Sequence, residues 1–206
     1  MKKVFQILLA IAIVGLGYYL YDSVMTPVRF QNEVKKRQSA VVERIKDIRL
    51  AQQAYKQKYQ RYTGDFDSLI DFVLNDSLVF VRSFGSKDDS VAVAKGRFKE
   101  EQFMVAVKDT VFGAKKLSVD QVRELPYIPY GENQAKYILA AGNLMTGAGV
   151  NVPVFECKAP FKMFLADLDR QQLINLIDEQ INVMSKYPGI KVGSMTEATN
   201  DAGNWE

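Results

Sequence analysis

Between Val4 and Tyr21 the chain reads VFQILLAIAIVGLGYYLY, eighteen residues without a charge. As a helix, such a run extends about 27 Å, close to the thickness of a bilayer's hydrocarbon core. Gln6 is its one strongly polar side chain, and Tyr18, Tyr19 and Tyr21 cluster at one end, where amphipathic rings favour the headgroup level. A cleaved signal peptide would also place Lys2 and Lys3 ahead of an apolar run. Bulky Tyr and Leu stand where its small-residue cleavage pattern should be, however. A buried core helix has no need of an uncharged run this long. The sequence therefore predicts a retained transmembrane anchor over residues 1–26, with the lipid bilayer as its partner.

Charge is unevenly divided. Residues 31–61 carry nine Lys/Arg against three Asp/Glu, whereas residues 62–206 carry fifteen against twenty. A basic segment beside the anchor and a mildly acidic body argue against nucleic-acid binding. Lys2 and Lys3 favour a cytoplasmic start, while Arg29, Lys35, Lys36 and Arg37 lie on the other side of the apolar run but farther from it. The expected location is the inner (cytoplasmic) membrane, crossed once, with the head on the periplasmic side. The triplets Asp67-Ser68-Leu69, Asp76-Ser77-Leu78, Asp89-Ser90-Val91 and Asp109-Thr110-Val111 share the form Asp, hydroxyl, aliphatic. They resemble the sequon of an O-glycosylation system that acts on exported bacterial proteins, which makes Ser68, Ser77, Ser90 and Thr110 candidate acceptors. Asp and Ser/Thr also gather at turns and helix starts for local reasons.

Thr26-Pro27 has the form of an N-cap followed by a first helical position, so a second helix is expected over residues 27–62. Val34, Gln38, Val41, Ile45, Ile48, Gln52, Tyr55, Tyr59 and Tyr62 alternate spacings of four and three, which describes a seam of period 3.5. From Ile48 onward the seam is expected to pack on its own domain. Nearer the membrane, Val41, Ile45 and Ile48 are expected to meet a partner helix, from another protein or a second copy.

Residues 63–206 read as a globular head of α+β class, with packed helices and a mixed or antiparallel sheet. A short helix starts near Phe66, and strands are predicted at Leu78–Phe84, Val91–Phe98 and Phe103–Phe112, joined in part by Lys99-Glu100-Glu101. Ser118-Val-Asp-Gln121 is a capping box opening a helix that stops before Pro126. Further strands are expected at Lys136–Ala141, Val152–Leu165 and Ile190–Met195, with Gly142–Asn151 as a connection. Asp169 and Gln172 open a last helix with the stripe Leu173, Ile177, Ile181 and Met184. Strands and helices follow no βαβ alternation, which favours α+β over a doubly wound sheet.

The chain contains no histidine and one cysteine. Serine–histidine and cysteine–histidine pairs, histidine zinc sites and thiolate clusters are thereby excluded. Cys157 shares a predicted strand face with Phe155 and Ala159, as a buried thiol would. Gly142–Gly149 lacks the Gly-Lys-Ser/Thr ending of a phosphate loop. No catalytic residue, cofactor or metal site is expected. Tyr127, Ile128 and Tyr130 stand between two prolines in Leu125–Gly131, so they are candidates for contacting a partner, or for plugging the edge of the core.

The stretch Arg44-Ile-Lys-Asp-Ile-Arg-Leu-Ala-Gln-Gln-Ala-Tyr55, continuing through Tyr59-Gln-Arg-Tyr62 and Asp67-Ser-Leu69, resembles the helix and exit segment of type IV pilins and pseudopilins. The layout is also similar to single-pass assembly-platform proteins of pilus and type II secretion machines. The resemblance covers about the first third of the chain and departs at Val4–Leu9, which lacks the acidic residue those pilins carry. It implies a non-enzymatic envelope protein acting through protein–protein contacts. A membrane-tethered module that binds a ligand or glycan near the Tyr127–Tyr130 loop is the alternative.

Overall fold

The computed structural model describes residues 2–84, 99–147 and 149–206. Helix α1 (Lys2–Tyr59) runs for 58 residues with Pro27 inside it. The expected break at Thr26-Pro27 is absent. Instead of capping a new helix, the Thr26 hydroxyl donates to the Asp22 carbonyl at 2.8 Å, the back-bond of a mid-helix threonine. An interior proline costs a helix about 3 kcal/mol. The helical turns on either side nevertheless hold the helix continuous across it.

The two halves of α1 have different surroundings. Every residue from Lys3 to Val24 is exposed, and the segment is long and apolar enough to cross a membrane. Phe30, Val34, Val41, Ile45, Ile48, Ala51, Ala54 and Tyr55 are buried in the hydrophobic core of the head. Gln60 adopts a left-handed φ of 56° just past the helix end. Buried Gln52 then fastens the exit segment: its amide donates to the Thr63 carbonyl at 2.6 Å and accepts from the Thr63 N–H at 3.1 Å.

Helix α2 (Phe66–Asn75) is capped by Asp65, whose carboxylate accepts from the Ser68 N–H, and it buries Leu69, Phe72 and Val73. Strands β1 (Ser77–Phe84) and β2 (Lys99–Ala106) form an antiparallel pair with Ser77 opposite Ala106 and Phe84 opposite Lys99. Lys99-Glu100-Glu101 thus belongs to a strand and not to a connection; the predicted strand Val91–Phe98 lies outside the described residues. The predicted strand Phe103–Phe112 ends at Ala106 and gives way to helix α3 (Val107–Phe112). There the Val107 N–H donates to the Asp76 carbonyl, and Val107 and Val111, one helical turn apart, face the core, with Phe112 buried at the helix end.

Helix α4 (Val119–Arg123) opens on the complete Ser118–Gln121 capping box. Strands β3 (Ile138–Met145), β4 (Asn151–Pro160) and β5 (Gly189–Gly193) form an antiparallel sheet in that order. Gly142–Met145 is strand rather than connection, because residues on β4 pair it through to Asn151. After Pro160 the chain turns into helix α5 (Phe161–Phe164), then helix α6 (Arg170–Asp178), capped by Asp169 and continued by a π turn over Glu179–Val183. The polar tail is a strap: the Gly193 N–H donates to the Ala202 carbonyl, Asn204 bonds to Lys191 and Gly189, and Arg49 on α1 pairs with Glu206 at 2.6 Å.

Candidate functional site

Contacts along α1 act as a ruler for the head. At the far end, Lys58 and Tyr59 hold Asp76 at the start of the β1–β2 hairpin. Tyr62 packs on Phe155 of β4 with ring centroids 4.8 Å apart. Lower down, the Tyr137 hydroxyl donates to the Val41 carbonyl at 3.2 Å. Closest to the exposed apolar half, Arg37 donates to the Phe164 carbonyl at 2.9 Å and forms a two-pronged pair with Asp167, one prong at 2.7 Å. Strand β4 and α5 therefore descend along α1 toward its apolar half.

The Arg37 clasp is the most elaborate polar contact between helix and head. Its guanidinium lies 5.2 Å from the Tyr130 ring centroid, and its Nε faces Glu33 at 3.7 Å. The hydrogen bond from Arg37 holds the Asp167 carboxyl below its usual range; reciprocally, that bond raises the Arg37 pKa against the opposing effect of burial. Sequence reasoning passed over Arg37. The available signal was its place on the stripe Phe30, Val34, Arg37, Val41, where a charge inside an apolar face asks for a partner.

Beside the clasp is a cleft of about 360 Å³, lined among others by Glu43, Arg44, Asp47, Lys115, Pro129 and Tyr130. Lys115 bonds to buried Asp47 at 2.6 Å and lies 3.3 Å from Glu43, while Arg44 donates to the Glu124 carbonyl at 2.5 Å. Burial alone would lower the Lys115 pKa, but the two carboxylates outweigh it and raise the value. Lys115 thus pairs with both carboxylates, while Arg44 is held by a backbone carbonyl. Among the described residues, no group of three or more His, Cys, Asp or Glu is arranged to hold a metal.

The expected interaction residues fall in different places. Val41, Ile45 and Ile48 are fully buried in the head's own core, so the expected partner helix on this seam is corrected: the head fills it. The physical reason is that the head folds back along α1 as far as Phe30, covering the whole face that periodicity identified. Of the loop residues, Ile128 is buried, Tyr127 is half-buried and Tyr130 is exposed, with a left-handed φ of 62°. Tyr130 alone offers its ring outward.

Among the candidate acceptors, Ser68 and Thr110 are exposed and Ser77 is half-buried; Ser90 lies outside the described residues. The Ser68 hydroxyl donates to the capping Asp65 and the Thr110 hydroxyl to the Ala106 carbonyl. The aliphatics Leu69 and Leu78 are buried, so in both triplets the third residue enters the core, with the polar pair exposed in the first and half-buried in the second. Cys157 is fully buried, and burial pushes its thiol pKa well up, which keeps it protonated and inert.

One further surface stands out. The β1–β2 hairpin is apolar on both faces, yet Val79, Val81, Phe103 and Met104 remain exposed. Strands apolar on both faces are usually covered on both. No protein-family model matches the sequence, and neither the curated proteins nor the solved structures compared with it give a match.

Proposed function

We propose that this chain is a single-pass, membrane-anchored envelope protein that works by binding other proteins and not by catalysis. The observation that carries it is the contrast within α1: residues 4–21 are uncharged, largely apolar and exposed, while the same helix continues into the core of the head. An exposed apolar surface of this size is stable only when covered, and a bilayer is the cover its length fits. The head lies on the periplasmic side, since Lys2 and Lys3 abut the apolar run more closely than the basic residues beyond it.

Partner binding rests on the exposed hairpin, now that the seam is filled by the head. The shared layout with pilin-like and secretion-platform proteins supports a place in such an assembly. A non-catalytic role agrees with a sequence that has no histidine and a single, buried thiol.

Two experiments test these points. A reporter active only outside the cytoplasm, fused after Glu206, should give signal, and activity solely from a cytoplasmic reporter would reverse the topology. Purification from native membranes in mild detergent should yield stoichiometric partners; a protein that always purifies alone, and as a single copy, would remove the interaction role.

A further inference from the structure

Where α2 lies against the end of α1 farthest from the apolar run, the two helices leave a cleft of about 300 Å³, lined chiefly by Tyr55, Tyr59, Asp71, Phe72, Asn75 and Asp76. Tyr55 and Tyr59 stand one turn apart on α1, and Asp71, Phe72 and Asn75 share a face of α2, so helical spacing alone gathers most of them. The rings of Tyr55, Tyr59 and Phe72 pack on one another, with centroids 4.6, 5.1 and 5.8 Å apart. Rings this close make a wall, not a cage able to surround a quaternary ammonium.

The lining holds two carboxylates and no base. Lys58, outside the lining, already pairs with Asp76. Among the described residues, exposed Asp71 receives only the Asn75 amide, at 2.6 Å, so its charge is left uncompensated. Tyr55 supplies a second, independent sign. It is 9% exposed and belongs to the core. Its hydroxyl has no hydrogen-bond partner among the described residues, yet it is not enclosed by protein either, and this cleft is the open space that Tyr55 lines. A phenol on so buried a ring ordinarily finds a partner, and here only an outside group can supply it.

We propose that this cleft receives the guanidinium group of an arginine side chain from a partner protein. The inference rests on the partner-binding reading above and names what the partner presents. A guanidinium is flat: one face lies on an aromatic ring while its edge N–H groups reach a carboxylate. Tyr59, 43% exposed, supplies the ring, Asp71 the carboxylate and the Tyr55 hydroxyl a further acceptor. A lipid headgroup is out of reach, because Tyr55 stands about 51 Å along the helix from Tyr21. A protein is well placed, because Asp76 leads directly into β1, where exposed Val79 lies opposite exposed Met104. One partner can therefore cover the hairpin and place a side chain in the cleft.

The full chain in detergent micelles, with isotope-labelled tyrosine rings, provides the test by nuclear magnetic resonance. It is titrated with acetyl-arginine methylamide, with the neutral citrulline analogue and with the lysine analogue, and Tyr55→Phe and Tyr59→Phe assign the two ring signals. The expected result is a saturating shift of both signals with the arginine probe, a weaker response to lysine and none to citrulline. Asp71→Asn, at an exposed position that leaves the melting temperature unchanged, should weaken arginine binding about fivefold. The same variant should lower recovery of partner proteins from native membranes. No shift, or an equal shift with citrulline, overturns the site while leaving partner binding elsewhere on the head standing. Equal binding of lysine overturns the assignment to arginine. Arginine binding with partner recovery unchanged in Asp71→Asn overturns the protein source in favour of a free guanidino compound. Arginine binding by a protein that never co-purifies with another overturns the partner reading itself and leaves the cation site.

Discussion

The two halves of α1 share a backbone and an apolar bias, yet they teach different lessons about burial. In the first half, apolar side chains cover all sides of the helix and none is buried. In the second they occupy one face, and that face is buried to completion at Val41, Ile45 and Ile48. A helix apolar all round needs cover on every side, from a bilayer or from protein, whereas a one-sided helix needs one neighbouring layer. Here one continuous rod carries both, so the head is fixed rigidly to whatever holds the apolar half.

That contrast can be broken by moving one charge. Ile45→Asp puts a carboxylate in a fully buried, apolar site, and should abolish folding of the head, read as loss of its cooperative thermal transition. Ile11→Asp, in the exposed half, should leave the head's transition in place while weakening membrane retention by about 2.5–3.5 kcal/mol at the helix centre. A head that tolerates Ile45→Asp would mean that the lower half of α1 packs on something other than its own head.

A milder version grades the same difference. Ile48→Ala should cost about 2–5 kcal/mol of head stability in denaturant titration through the cavity it leaves, and Leu16→Ala close to nothing. Equal losses at both sites would contradict the division. Removing the clasp comes next: Arg37→Met deprives the Phe164 carbonyl and Asp167 of their partner and should cost about 1–3 kcal/mol. Cys157→Ser places a hydroxyl in a fully buried site, with a loss of about 1–3 kcal/mol and no change in partner binding.

The smallest effect comes from pH. Asp65, Asp76, Asp167 and Glu206 all have lowered pKa values, through hydrogen bonds to Ser68, Lys58, Arg37 and Arg49 respectively. A carboxylate whose folded pKa lies below its unfolded value stabilises the fold above the unfolded value and loses that contribution as pH falls through the folded one. The head's melting temperature should therefore be level near neutrality and decline below the ordinary carboxylate range. Asp65, Asp167 and Glu206 are exposed and Asp76 is half-buried, so solvent screens these contributions. In Asp167→Asn the decline should be shallower; an unchanged profile would mean the clasp is electrostatically idle.

Much of the fold was legible in local signals. The capping box at Ser118–Gln121, the Asp169 cap, the short helix from Phe66 and the alternation that buries Phe155, Cys157 and Ala159 all formed as their residues indicated. Signals that depend on a competitor were less legible. Thr26-Pro27 has the chemistry of a helix start, but the helices on either side outweighed it. Val107–Phe112 is β-prone in composition, but its first N–H and two buried side chains suited a helix at that place. The candidate site divides likewise: Tyr130 could be chosen from its prolines, whereas Arg37 and Asp167 stand 130 residues apart and nothing local joins them.

By itself the sequence determined the apolar run, the one-sided pattern of the helix that follows and the poverty of catalytic side chains, because these are properties of neighbours along the chain. Only the tertiary structure decided which body covers that pattern. Periodicity specifies that a face will be buried, and a partner helix or the head could each have supplied the apolar surface. The head won because β4, α5 and the polar strap descend the length of the face, and the Arg37 clasp holds the chain against it. The same packing buried Leu173 at the start of α6's stripe and left Ile181 and Met184 at its end exposed, which no spacing rule could reveal, since an apolar stripe looks identical in sequence whether or not protein lies against it.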